Sequence, residues 1–163
     1  CNLACRVAGQ RVLLLGAGGA ARGVVAPLLD ARPALLWIAN RTAARASDLA
    51  RRFAGRGALA GGAYQELDGE AFDLVINATS ASLAGELPPL PAGAFASGSM
   101  AYDMMYGRGE TPFLAYAREH GAARLADGLG MLVEQAAEAF YLWRGVRPDS
   151  APVVAMLRGT ERA

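Results

Sequence analysis

The chain has 163 residues, 53% hydrophobic and 19% charged, with a formal net charge of +1. That balance suits one folded domain with an appendage, and it excludes a disordered chain or a broad cationic face for nucleic acid. No apolar run approaches the roughly 20 residues of a membrane-spanning helix, because Gly, Arg or Asp interrupts each one.

Arg11 to Leu15 (RVLLL), followed by glycines, predicts a buried strand. GAGGAARGVVAPLLD then opens a helix that closes near Asp30, with Pro33 barring continuation. Leu35 to Ala39 predicts a second strand. Thr42 to Phe53 predicts a second helix, with Ala43, Ala46, Leu49, Ala50 and Phe53 at helical spacing and Gly55 and Gly57 ending it. The glycine-rich stretch to Leu67 carries a short strand near Ala58 to Ala60. FDLVINATS (Phe72 to Ser80) is a strand running into a polar turn, and LPPLPAG is a loop because proline removes donors and fixes backbone angles. SMAYDM is a further strand. Thr111 as N-cap and Pro112 at the first helical position start a helix that stops at Gly121. Strands alternating with helices at this spacing predict an α/β fold, a Rossmann-like doubly wound parallel sheet.

After Asp127 the character changes. GLGMLVEQAAEAFYLWRG is a long helix whose apolar residues fall on more than one side, as for a helix buried on two faces or one that has lost a partner. Met131, Leu132, Phe140, Leu142 and Trp143 cannot all be covered by one sheet face, so either self-association through this helix or a swing of the helix to another position is expected.

Chemistry concentrates at two turns. Gly16-Ala17-Gly18-Gly19-Ala20-Ala21 follows a strand and opens a helix, matching the dinucleotide pattern G-x-G-x-x-A. Gly16 permits the tight turn, Gly18 lets backbone approach a pyrophosphate, and Ala21 lets helix and strand pack closely. About 20 residues on, where an acid would grip the ribose 2′-hydroxyl of NAD, stand Asn40, Arg41 and Thr42, with Arg45 one turn later. Donors and cations there attract a 2′-phosphate, which points to NADP. The planar Arg41 guanidinium can also stack on adenine. The competing reading is a solvated helix start capped by Thr42.

Other polar residues invite less. The lone histidine, His120, falls in a last helical turn, where a cation complements the helix dipole. Asp103 and Asp127 are single carboxylates at strand ends and read as turn and cap groups. Cys1 and Cys5 have no His or Cys cluster beside them and read as free thiols of a reducing cytoplasm, not a metal site. Residue 1 is not Met and no signal-peptide pattern follows, so the chain is expected to begin inside a longer one. All sixteen basic residues are Arg.

Taken in order, the blocks GAGGAARGV, NRTAAR, DLVINATS, YDMMY, TPFLAYAREHGA and DGLGMLVEQAAEAFYLWRGVRP resemble the C-terminal part of shikimate dehydrogenase, and the likeness covers nearly the whole chain. The resemblance implies reversible hydride transfer between NADPH and 3-dehydroshikimate, making shikimate. By that likeness Gly16, Ala17, Gly18, Gly19 and Ala20 cradle the diphosphate, and Asn40, Arg41, Thr42, Ala43, Ala44 and Arg45 hold the adenosine 2′-phosphate. Ala78, Thr79 and Ser80 line the cofactor cleft, and Met104 and Gly128 flank the nicotinamide. Tyr106 and Gln135 match positions that touch the substrate, and Gln135, polar on a greasy helix, should seek a partner.

Residues 9–127 are thus expected to form the NADP-binding domain. Residues 128–163 are expected to form C-terminal helices that in the family pack on a preceding substrate domain. The family's proton relay uses a Lys and an Asp of that domain, so no catalytic residue is expected in this lysine-free chain, and the chain alone should be inactive. Two departures are Ser82, where the family usually has Gly, and the YGRGE segment before Thr111. Other readings are a stand-alone NADP-binding module, a quinate-oxidising relative, and the nucleotide domain of glutamyl-tRNA reductase, against which DGLGMLVEQA argues.

Overall fold

The computed structural model describes residues 3, 5–80, 86–107 and 109–160. Its centre is β1, Arg11–Leu15, whose last four residues are fully buried because the strand is covered on both faces. Continuous apolar runs of this kind mark the inner strands of a parallel sheet. β1 pairs with β2 (Leu35–Ala39) on one side and with β4 (Phe72–Asn77) on the other, both parallel. β3 (Leu59–Gly62), β5 (Phe95–Asp103) and β6 (Arg124–Ala126) complete a six-stranded sheet in the order β3-β2-β1-β4-β5-β6. Every pairing is parallel. The fold is therefore the expected doubly wound α/β sheet.

Helices α1 (Gly19–Asp30) and α2 (Ala43–Arg52) follow β1 and β2. Together they bury Ala21, Val25, Leu29, Ala46 and Leu49 against Val12, Leu14, Leu36 and Ile38 on one face. α3 (Pro112–Glu119) contributes Phe113, Leu114 and Ala117 to a second core on the opposite face, with Leu13, Leu15 and Val75. The order reverses between β1 and β4, so the turns after these two strands flank a crevice at the carboxyl edge. Open α/β sheets bind ligands at such a switch point.

Local chemistry explains the boundaries. Thr111 accepts from the Leu114 N–H and Pro112 starts α3, as expected. α1 ends at Asp30, and Arg32, not a glycine, takes the left-handed conformation that turns the chain away (φ 55°). β3 lies one to two residues beyond its expected place. A Cβ on Gly61 would sit 2.5 Å from the Ala46 carbonyl oxygen, so only glycine lets α2 approach this strand. β6, only three residues long, was not anticipated.

The C-terminal region forms two helices, α4 (Leu129–Arg144) and α5 (Ala151–Thr160). α4 buries only Leu129, Val133 and Ala137. Met131 is half-buried, whereas Leu132 and Phe140 are exposed and Leu142 and Trp143 are 73% and 82% exposed. Among the described residues no helix is long and apolar enough to cross a membrane.

Candidate dinucleotide cleft

Backbone hydrogen bonds carry the sheet beyond its strands into the turns that matter. Gly16 N–H donates to the Ala39 carbonyl at 2.7 Å, Asn40 N–H to Gly62 at 3.1 Å, and Ala78 N–H to Leu15 at 2.9 Å. These bonds hold the glycine turn, the Asn40–Arg41 turn and the Ala78–Ser80 turn side by side. Between them opens a cleft of about 650 Å³ lined by residues 16–20, Asn40, Arg41, Arg45 and residues 78–80. That volume lies within the range of small-molecule sites.

Gly16 has φ 102°, and a Cβ there would lie 3.1 Å from the Ala78 carbonyl oxygen and 3.2 Å from Thr79 Cγ2. Both its conformation and its space demand glycine. Around Gly18 and Gly19 nothing stands within 4 Å of a notional Cβ, so their backbone is open to a ligand at the start of α1. Such a helix N-terminus presents unpaired N–H groups and a positive dipole end.

Asn40 braces its own turn by donating from Nδ2 to the Thr42 carbonyl at 3.0 Å. Thr42 precedes α2 but its hydroxyl makes no capping bond, and the helix has no acid in its first turn. Arg41 and Arg45 have no ion-pair partner among the described residues, although six other arginines do. Thr42, Ala43 and Ala44 lie outside the cleft lining.

Beneath the cleft lies a buried polar knot that connects the ends of β4 and β5. Asp103, wholly buried, accepts from Asn77 Nδ2 at 3.0 Å, from the Met105 N–H at 3.0 Å and from Thr111 Oγ1 at 2.6 Å. Asn77 Oδ1 in turn accepts from Thr79 N–H and Thr79 Oγ1. A buried carboxylate of this kind is held by multiple donors. Asp103 is the turn group anticipated, with a wider reach than expected. Asp127 accepts from the Leu129 N–H at the start of α4 and faces Arg158 at 3.5 Å.

Met104 and Gly128 come together but do not line the cleft. A Cβ on Gly128 would lie 2.2 Å from the Met104 carbonyl oxygen, and Gly128 N–H donates to Met105 at 3.0 Å. Tyr106 and Gln135 are both exposed, and Gln135 makes no hydrogen bond among the described residues. His120 caps α3, donates from Nδ1 to the Tyr116 carbonyl at 2.8 Å and stacks on the Tyr116 ring. Cys5 is free and half-buried, its thiol pushed up by burial despite nearby Arg124. Cys1, Ser82 and Arg108 of YGRGE lie outside the described residues.

Several cleft residues carried no sequence signal. Tyr64, Glu86, Leu87, Pro88, Pro89 and Met105 complete the lining. The wall at residues 86–90 is fastened by Tyr116, whose hydroxyl donates to the Leu90 carbonyl at 2.8 Å. Burial raises the Tyr64 phenol above the ordinary tyrosine value, with the Arg41 charge opposing.

Residues 2–84, just over half the chain, match the family described as Shikimate / quinate 5-dehydrogenase. The chain belongs to that family. Residues 128–158 also match the Shikimate 5′-dehydrogenase C-terminal domain. Among relatives, the chain is 63% identical over 159 residues to the shikimate dehydrogenase (NADP(+)) of Nitrosospira multiformis, covering 98% of this chain and 58% of that protein. The crystal structure of an Ael1 enzyme from Pseudomonas putida superposes with TM-score 0.87 at 55% identity, covering 96% of this chain and 57% of that one. Shikimate 5-dehydrogenase of Thermus thermophilus, solved in complex with NADP(H) and shikimate, superposes with TM-score 0.75 at 36% identity over 91% of this chain and 54% of that one. The chain therefore spans somewhat over half the length of these relatives.

Proposed function

We propose that this chain is the cofactor-binding portion of an NADP-dependent oxidoreductase interconverting 3-dehydroshikimate and shikimate. The carrying observation is the pair Arg41 and Arg45, without carboxylate partners, beside a glycine turn whose backbone is open. Two guanidiniums without carboxylate partners offer an anion site, and no acid follows β2 to grip the ribose hydroxyls of NAD. That absence disfavours an NAD-using quinate relative. The open backbone at Gly18 and Gly19, with Gly16 making the tight turn before it, fits a diphosphate on the α1 N-terminus.

In this reading residues 9–127 are the nucleotide domain. Gly16 to Ala20 bind the diphosphate, Asn40 to Arg45 bind the 2′-phosphate, and Ala78 to Ser80 form the opposite wall. The bound nicotinamide supplies or accepts the hydride. By the family likeness Met104 and Gly128, in backbone contact next to the cleft, flank the nicotinamide, and Asp103 and Asn77 tie the end of β5 to the Thr79 turn. Tyr106 and Gln135 await the substrate. With no lysine in the chain, the proton relay implied by the family likeness is not carried by these residues, and the chain alone is inactive. Residues 128–163 form an association surface for the substrate domain of a longer protein, and in the isolated chain the exposed face of α4 self-associates.

Calorimetric titration with NADPH and NADH tests this reading. NADPH should bind more tightly, and Arg41→Ala should remove about 1.5–3 kcal/mol of that preference, the worth of a charge-assisted hydrogen bond. Equal affinities in the unmutated chain would overturn it.

A further inference from the structure

Tyr64 sits at the start of the short 3₁₀ turn Tyr64–Leu67, two residues beyond Gly62, whose carbonyl accepts from the Asn40 N–H. Its residue surface is 6% exposed, and its ring packs in the core that holds Leu13, Leu15, Leu67 and Phe72. The hydroxyl makes no hydrogen bond within the described residues and is not among their sealed unpaired polar atoms, and Tyr64 lines the cleft. A phenol whose ring is fixed by packing and whose oxygen is free is a pre-positioned hydrogen-bonding group.

The surroundings define what it would meet. The same cleft is lined by Arg41 and by residues 86–89, where the exposed Glu86 precedes Leu87, exposed at 43%, and a buried Pro88. A guanidinium and aliphatic side chains lining one cleft suit a flat ring, since Arg stacks on π faces and apolar side chains cover such a ring as well. Tyr64 and Arg41 line the same cleft. Burial holds the Tyr64 phenol protonated, so it keeps both a donor and an acceptor.

We propose that Tyr64 is a base-positioning residue of the cofactor cleft, its hydroxyl bonding the polar edge of the adenine held between Arg41 and Leu87. This rests on the dinucleotide reading of the cleft but not on its preference for NADP. The contact is to the base, so it serves NADPH, NADH and adenosine 5′-monophosphate alike.

The test is Tyr64→Phe in the whole chain, which removes one oxygen and leaves the ring in the core. Calorimetry with NADPH, NADH and adenosine 5′-monophosphate should show all three weakened by a common factor of about three to ten, the worth of one neutral hydrogen bond. The thermal midpoint should stay unchanged, because the lost group had no protein partner. Unchanged affinities would overturn the proposal. So would a loss confined to NADPH, which would assign the hydroxyl to the 2′-phosphate. An unmutated chain that binds NADPH and NADH equally would overturn only the NADP reading, and one that binds none of the three would overturn both.

Discussion

Gly128→Ala is the most revealing single change. Gly128 is buried with φ −75°, a backbone conformation any residue accepts, so the effect of a methyl group is purely one of space. That methyl would lie 2.2 Å from the Met104 carbonyl oxygen and 2.8 Å from its carbon, and ordinary contact begins near 3.4 Å. The Met104 backbone and the start of α4 must therefore part by about 1.2 Å. Both neighbours are backbone and cannot rotate away as a side chain would. Overpacking of this kind costs about 1–3 kcal/mol. Parting also stretches the 3.0 Å bond from Gly128 N–H to the Met105 carbonyl, worth about 1 kcal/mol. The sum, about 2–4 kcal/mol, should lower the urea midpoint by about 1–2 M and Tm by about 5–15 °C. Urea titration followed by far-ultraviolet circular dichroism reads the loss directly. An unchanged midpoint would refute the argument that glycine is required at 128 for close approach.

Three further outcomes are expected. Given shikimate and NADP, the chain alone should show no turnover above background in absorbance at the reduced-nicotinamide band, and measurable oxidation would mean that residues present here manage the proton. Stability should fall above pH 10: Tyr64, Tyr102 and Tyr116 all have phenols raised above the ordinary 10.0, chiefly by burial, and at Tyr102 also by the charges of Asp127 and Asp103. The unfolded chain then binds fewer protons than the folded one as pH climbs through that window, so the stabilisation present below 10 is lost above it. A urea midpoint as high at pH 11 as at pH 8 would contradict this. Sedimentation should show the chain self-associating and a version ending at Asp127 not doing so, with monomers in both cases ruling out the exposed α4 face as the cause.

Much of the fold was legible because burial leaves a pattern. β1 and β2 are mainly apolar runs that end at Gly16 and Asn40, and the structure keeps their expected limits at Arg11–Leu15 and Leu35–Ala39. Thr111 and Pro112 announced α3 through the chemistry of its first turn. β6 was invisible because three residues cannot display a period. β3 was blurred because Gly61 and Gly62, which suggest a loop, serve close packing within a strand. In the cleft, residues that act through backbone or charge next to a recognisable turn could be read, namely Gly16 to Ala20 and Arg41. Tyr64 and Leu87 reach the same cleft only because β3 and β4 lie on opposite sides of β1 and β2 in the sheet order. No spacing along the chain encodes that meeting. Asp103 carried a turn signal, but its partners Asn77 and Thr111 lie 26 and 8 residues away, and the sequence does not show that they converge.

The seating of α2 on β3 has a consequence for redesign. Gly61 admits the backbone of Ala46 directly, and Ser47 Oγ donates to the Gly61 carbonyl at 2.9 Å. The helix is thus anchored through its second turn, by contacts that do not involve the side chains of residues 40–45. Apart from Asn40, whose amide braces the turn, those side chains form an exchangeable face on a fixed mount. Replacing Arg41 with an acid, to turn the cleft toward an unphosphorylated ribose, alters what the face recognises while leaving the helix where the anchor puts it. Substituting Gly61 would do the reverse, displacing the whole face with its chemistry intact.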